Sequence, residues 1–175
     1  GSMIELEAKD QYLMALYLFD ETDLHHYIQE NKEQQLVSVL IYIDNYEEAL
    51  ESIEEVKRSL LVALVDRKVS KYFSERDSII KKIEKDKYFV VFKHKYLEEL
   101  IKDKFSILEE VKTIKVGNEM AVTLSIGVGI SNLNYCQKYD YSRMAIDLAL
   151  GRGGDQVVVK EGEKISYFGG KSRQV

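Results

Sequence analysis

Four places in this sequence carry side chains that can do chemistry. Asp44 closes the apolar run LVSVLIYID, and a carboxylate at the carboxyl end of a buried strand stands where ligands of α/β sheets gather. Asn45, Tyr46 and Glu47 open the next helical stretch, so their backbone N–H groups are placed to hold phosphate oxygens. Asp86 and Lys87 sit in the polar tetrapeptide EKDK between two β-rich runs, which makes them solvated turn residues on spacing alone. Arg152 is surrounded by Gly151, Gly153 and Gly154 in ALGRGGDQVVVK. Either those glycines let the backbone curl about a phosphate, or they end a helix and start a strand. The helix-ending reading leads, with Gly151 or Gly153 left-handed, because the Lys-Ser/Thr of a phosphate loop does not follow. His25, His26 and His94 have no metal-ligand spacing around them, and Cys136 beside Tyr135 reads as a packed thiol.

These residues need elements to position them. Tyr12 to Phe19 alternates as a strand, and Leu24, Tyr27 and Ile28 share one face of a connecting helix from Asp23 to Gln35. Leu36 to Asp44 is apolar and β-branched, the pattern of a central strand buried on both faces. A long or broken amphipathic helix follows to about Phe73, with KRSLLVALVDRKV as its core-facing part and charged rim. Ser78 to Phe92 predicts a hairpin turning near Glu84 to Lys87, and Tyr96 to about Val111 a further helix. Ala121 to Ile130 predicts a buried strand with two glycines, and Tyr141, Met144, Ala145 and Leu148 the inner face of a short helix. QVVVK and ISYF close the chain as a hairpin running into Gly169 and Gly170. This order predicts a ferredoxin-like α/β (α+β) sandwich, a mostly antiparallel sheet with helices on one face, against a flavodoxin-like sheet as the competing topology.

Composition narrows the function. The 175 residues, 45% hydrophobic and 31% charged, suit one globular domain with an attached segment. The net charge of -5 is spread along the chain, which disfavours a nucleic acid duplex as partner. One cysteine allows no internal disulfide and fits a reducing compartment. No apolar run approaches the length of a membrane span, and GSMIELEAKD lacks the features of a signal peptide, with Gly1 and Ser2 reading as a tag scar. The lack of proline argues against an internal Pro-rich linker.

The strand ending IDNY, the hairpin KIEKDKYFVV, the strand VTLSIGVG and the helix MAIDLALGRGGDQVVV together resemble a GGDEF domain, in that family's order, over residues 36 to about 160. The resemblance implies the nucleotide-cyclase type of fold. It places Glu84, Lys85, Asp86, Lys87 and Tyr88 on the Gly-Gly-Asp/Glu-Glu-Phe turn of members that condense two GTP into cyclic-di-GMP. Both glycines are missing, so the close backbone approach they allow is lost. Of the acids that hold magnesium in such members, Asp86 is retained in the turn, and of the Asp-x-Asp pair at the strand end Asp44 is retained while Tyr42 replaces the other. Leu50 falls on the guanine-reading Asn, and Glu75 and Ser78 on the Arg and Asp of the product-inhibition site.

A degenerate GGDEF domain of this kind resembles the branch found in GdpP-type cyclic-di-AMP phosphodiesterases, where it lies between a PAS and a DHH domain behind a membrane anchor. YLMALYLFDETDL is similar to the last PAS strand and its exit, and YFGGKS to the end of the degenerate domain. On that resemblance residues 1–35 are the scar, PAS strand and linker helix, 36–170 the GGDEF domain, and 171–175 the start of a linker to DHH. The implied function is a regulatory domain on the cytoplasmic side of a membrane-anchored phosphodiesterase, binding and weakly hydrolysing ATP. Asp44 and Asp86 would hold magnesium, Asn45 and Tyr46 would hold phosphates, and Arg152 would assist. The alternative is a nucleotide-free dimerising spacer that passes a signal from PAS to DHH, with the linker helix pairing two copies.

Overall fold

The computed structural model describes residues 31–132 and 134–170. The chain divides into two compact units, Gly1–Gln35 and Leu36–Val175, and the second holds the fold described below. The expected strand over residues 12–19, most of the helix over 23–35, His25, His26, Lys171 and Ser172 lie outside the described residues.

The elements are β1 (Leu36–Ile43), α1 (Tyr46–Glu51), α2 (Glu55–Ser74), β2 (Ile79–Glu84), β3 (Lys87–Lys93), a 3-10 turn (His94–Tyr96), α3 (Leu97–Lys102), α4 (Ile107–Lys112), β4 (Leu124–Ile130), α5 (Tyr135–Gly151), β5 (Gln156–Glu161) and β6 (Lys164–Gly169). They form one six-stranded sheet in the order β2-β3-β1-β4-β5-β6. Only β4 and β5 pair in parallel, joined through α5, and every other neighbouring pair is antiparallel. The first four strands with α1 to α4 make the ferredoxin-like unit expected from the sequence, and α5, β5 and β6 extend it.

Alternation along each strand sorts the core into two layers. Val37, Val39, Ile41 and Ile43 of β1 share one cluster with Tyr88, Val90 and Phe92, with Leu124, Ile126 and Val128, and with Val157 and Val159. Leu61, Val65, Val69 and Phe73 of α2 and Leu100, Ile107 and Val111 of α3 and α4 seal that cluster. The opposite face belongs to α5, so helices cover both faces and the one-sided arrangement holds only for the ferredoxin-like unit. Ala145 and Ala149 pack there on Val158, and Ser142 bonds Ser38 between their hydroxyls at 3.1 Å.

The two glycines of VTLSIGVG explain that second layer. A Cβ on Gly127 would fall 2.4 Å from the Ser142 carbonyl oxygen and the Ile146 nitrogen, and one on Gly129 2.2 Å from the Lys138 carbonyl. Their bare backbone lets α5 press against β4, and the helix answers with small residues. Its buried residues are Lys138, Ser142, Ala145, Ile146 and Ala149, whereas Met144 and Leu148 are exposed. The expected inner face was therefore rotated from the true one, and the helix runs longer than the short element expected. Cys136 on this helix is exposed, not packed.

The helical stretch after β1 is the broken alternative, interrupted at Ser52 to Glu54 with Ile53 buried in the core. The stretch after β3 is broken too, because Lys104 and Phe105 both adopt positive φ while Phe105 is buried between α3 and α4. The hairpin turns at Lys85 and Asp86, within the expected tetrapeptide.

Candidate functional site

The sequence-selected residues converge on one end of the sheet. At the end of β1 the Ile43 N–H donates to the Asp86 carbonyl at 2.8 Å, and the Asp44 N–H to the Thr123 carbonyl at 3.0 Å. The hairpin turn and the segment entering β4 thus grip β1 from both sides, which brings Asp44, Asn45, Tyr46 and Asp86 together.

The Asp44 carboxylate is turned inward. The Ser125 hydroxyl donates to its Oδ1, and the Asp155 N–H donates to Oδ2 at 2.8 Å. Burial pushes this carboxyl above the ordinary value, although the hydrogen bonds from Ser125 and Asp155 pull it down. Asn45 is engaged at both ends of its amide, with Nδ2 donating to the Ala121 carbonyl at 2.7 Å and Oδ1 accepting from the Thr123 N–H at 3.1 Å. Tyr46 packs partly against the core, and its ring lies 5.1 Å from the Lys85 ammonium. The six-residue α1 carries Glu47 and Glu48 in its first turn, and Lys85 pairs with Glu47. Two carboxylates at that helix start oppose an approaching phosphate.

Asp86 is half-buried between Lys85 and Lys87 in the hairpin turn. Lys87 bonds Glu84 at 3.0 Å and stands 5.0 Å from the centre of the Tyr42 ring. Tyr42 therefore meets an ammonium at the position where the resemblance places a metal carboxylate. Burial raises its phenol and Lys87 works against that rise.

Arg152 comes close in the chain but points elsewhere. Its Nε donates to Gln156 Oε1 at 2.9 Å, and its guanidinium lies 4.1 Å from the Tyr167 ring centre, toward the β6 edge. The glycines around it end α5. The Gly153 N–H bonds the Leu150 carbonyl at 3.0 Å and the Gly154 N–H bonds the Ala149 carbonyl at 2.9 Å, the paired bonds of a Schellman stop. Of the two expected candidates, Gly153 is the left-handed residue, with φ of 103°, while Gly151 still belongs to the helix.

Gly154 and Asp155 continue in the left-handed region, with φ of 72° and 54°. That path brings the Asp155 N–H onto Asp44 and leaves the Gly154 Cα so near that a Cβ would stand 2.7 Å from Asp44 Oδ2. Asp155 in turn pairs with Lys112 of α4 at 2.6 Å, and Lys112 also reaches Glu109 at 3.0 Å. Burial lowers the Lys112 ammonium, but the two carboxylates outweigh it and hold it above its usual range. Ser125, Asp155 and Lys112 were missed in the sequence. Ser125 sits two residues before Gly127 in VTLSIGVG and Asp155 directly after the glycine pair, yet neither spacing says that both meet Asp44.

These donors do not fit a protein-held magnesium ion. Magnesium requires near-octahedral oxygen ligands, whereas both Asp44 oxygens receive protein donors, Asp86 is flanked by lysines and Tyr42 offers only a phenol. Among the described residues no group of three or more His, Cys, Asp or Glu could hold a metal ion. Beside the site, between α1 and α2, lies an open hollow of about 440 Å3 lined by Glu47, Glu48, Leu50, Glu51 and Arg58. Leu50, which the resemblance sets on the guanine-reading residue, is one of its walls. Among the described residues no helix is long and apolar enough to cross a membrane.

Residues 41–167 match the family model described as the GGDEF domain of GdpP-like cyclic-di-AMP phosphodiesterases. The chain is 33% identical over 158 residues to the cyclic-di-AMP phosphodiesterase PdeA of Listeria monocytogenes, covering 90% of the chain and 24% of that protein. It is 32% identical over 177 residues to the cyclic-di-AMP phosphodiesterase GdpP of Geobacillus thermodenitrificans, covering 97% of the chain and 27% of that protein. The chain therefore spans about a quarter of the length of these relatives. Among solved structures, a diguanylate cyclase/phosphodiesterase from Caldicellulosiruptor saccharolyticus matches with a TM-score of 0.62 at 15% identity, over 88% of this chain and 99% of that one. The active GGEEF domain of a diguanylate cyclase from Vibrio cholerae matches with a TM-score of 0.57 at 16% identity, over 74% of this chain and 85% of that one. At these identities the structural matches speak for the fold alone.

Proposed function

The chain belongs to the GGDEF domain family of GdpP-like cyclic-di-AMP phosphodiesterases, and from that membership we propose that it is a regulatory module of such an enzyme and not a diguanylate cyclase. The observation that carries this reading is the state of the sheet end. Asp44 is bonded to Ser125 and to the turn after α5, Tyr42 and Leu50 stand where acid and amide chemistry would be needed, and Lys85 occupies a turn position that cyclising members leave to glycine. A module of this kind would act by relaying a change of packing between neighbouring segments of the longer protein, for which the resemblance implies PAS and DHH domains behind a membrane anchor. Incubation with GTP and magnesium followed by product analysis tests the first part, and no cyclic-di-GMP is expected. Deleting residues 36–170 from the full-length protein tests the second: hydrolysis of cyclic-di-AMP should persist while its response to the upstream segment is lost. A detectable yield of cyclic-di-GMP would overturn the reading.

A second reading, in which the domain binds ATP as a regulator, rests on the open hollow of about 440 Å3 beside Leu50 and Arg58, where Glu47, Glu48 and Glu51 on the same walls would admit the phosphates only with their charge neutralised. Any magnesium would arrive on the nucleotide. Calorimetric titration with ATP, with and without magnesium and repeated on Asp86→Ala, separates the readings. Magnesium-dependent heat that the substitution weakens would favour the nucleotide site, and an absence of heat the nucleotide-free relay.

A further inference from the structure

We propose that the sheet end is a metal-independent joint: Asp44 is a structural latch between β1 and the α5–β5 turn, and fixed lysine ammonium groups supply the positive charge that its carboxylates require. The proposal deepens the reading of the domain as a non-cyclase.

Three connected contacts carry it. Asp44 receives the Ser125 hydroxyl on one oxygen and the Asp155 N–H on the other, so half of its acceptor capacity is already taken by the protein and the carboxylate is fixed facing inward. Gly154 has no room for a Cβ against that carboxylate and holds φ of 72°, so the turn is shaped around Asp44. Asp155, whose N–H makes the latch, gives its own carboxylate to Lys112 at 2.6 Å, with both side chains more than three-quarters buried. The latch thereby extends from β1 through the α5–β5 turn to α4. On the other flank Lys87, bonded to Glu84 at 3.0 Å and set over the Tyr42 ring, is a second built-in cation. Partly buried carboxylates are stable only when matched by donors or opposite charge, and here Asp44 has the donors and Asp155 the opposite charge.

The test uses the 175-residue chain. Manganese is titrated while paramagnetic broadening of the Asp44 and Asp86 amide resonances is followed, and melting temperature is measured in magnesium and in EDTA. The wild type is expected to show no saturable broadening. Asp44→Asn is expected to lower the melting temperature by several degrees, by the same amount in both buffers. Should Asp44→Asn fail to fold, Ser125→Ala removes one donor of the latch and is expected to give a smaller fall, again equal in both. Saturable broadening in the wild type, or a melting temperature raised by magnesium only while Asp44 is present, would overturn the joint. So would substitutions at Asp44 and Ser125 that leave the melting temperature unchanged. Manganese binding by a domain that makes no cyclic-di-GMP would sink this inference and leave the functional reading standing.

Discussion

At the β2–β3 turn, Lys85 is exposed and pairs with the exposed Glu47 beside a half-buried Asp86, whereas at the α5–β5 turn Gly153, Gly154 and Asp155 are wound left-handed against Asp44. Both turns border the end of β1. In the first, Lys85 and Asp86 make the turn without a positive φ, and the ladder beside it shifts register between Lys82 and Glu84, so no glycine is needed there. In the second, glycine is required twice, once for conformation and once for space. The difference teaches that glycines beside a sheet end can mark a packing constraint and not a ligand. A turn that projects from the sheet edge tolerates long charged residues, and the corner at Gly154, packed against Asp44, has no room for them.

The comparison can be broken most directly at Gly154. Gly154→Ala strains a left-handed residue and drives its methyl into the Asp44 carboxylate, so a loss of roughly 3 kcal/mol is expected, a fall of about 6–12 °C in melting temperature by calorimetry. Asp44→Ala comes next. It leaves the Asp155 N–H and the Ser125 hydroxyl without their acceptor, which costs roughly 1–3 kcal/mol in urea unfolding.

The pH dependence sharpens the same point. Burial raises the folded Asp44 carboxyl above its ordinary 3.8, so its contribution to stability is fully present below that value and is lost as pH rises through the raised one. The stability of the wild type relative to Asp44→Asn should therefore decline across that interval, measured by urea unfolding at successive pH values. A difference that grew with pH would mean that the hydrogen bonds outweigh burial at this carboxylate.

Gly153→Ala meets open space, so only its left-handed conformation is penalised, and about 1 kcal/mol is expected in the same measurement. Lys85→Ala at the other turn is expected to leave the melting temperature unchanged, since its partner Glu47 is a solvated carboxylate. A loss at Lys85 as large as that at Gly154 would erase the contrast between the turns.

Much of this fold was legible in the chain. LVSVLIYID is apolar on both faces, with its β-branched residues on one of them, and became the central β1, and the polar EKDK between two β-rich runs became the hairpin turn. The helix-ending role of the late glycines followed from their distance to any phosphate-loop Lys-Ser/Thr. The face of α5 was not legible, because two stripes of that helix, one through Tyr141, Met144 and Leu148 and one through Ser142, Ala145 and Ala149, have helical spacing. Hydrophobicity favours the first and the glycine floor of β4 selects the second. The second core layer is thus set by what fits over Gly127 and Gly129.

The sequence by itself determined the strands of the described domain, the hairpin turn, a helix stop at Gly151 or Gly153 and the presence of Asp44 at a strand end, since each depends on neighbours a few residues apart. Only the tertiary structure decided what Asp44 does. Its partners Ser125 and Asp155 lie 81 and 111 residues away, and a carboxylate's role is set by the donors and charges that the packed chain brings to its oxygens.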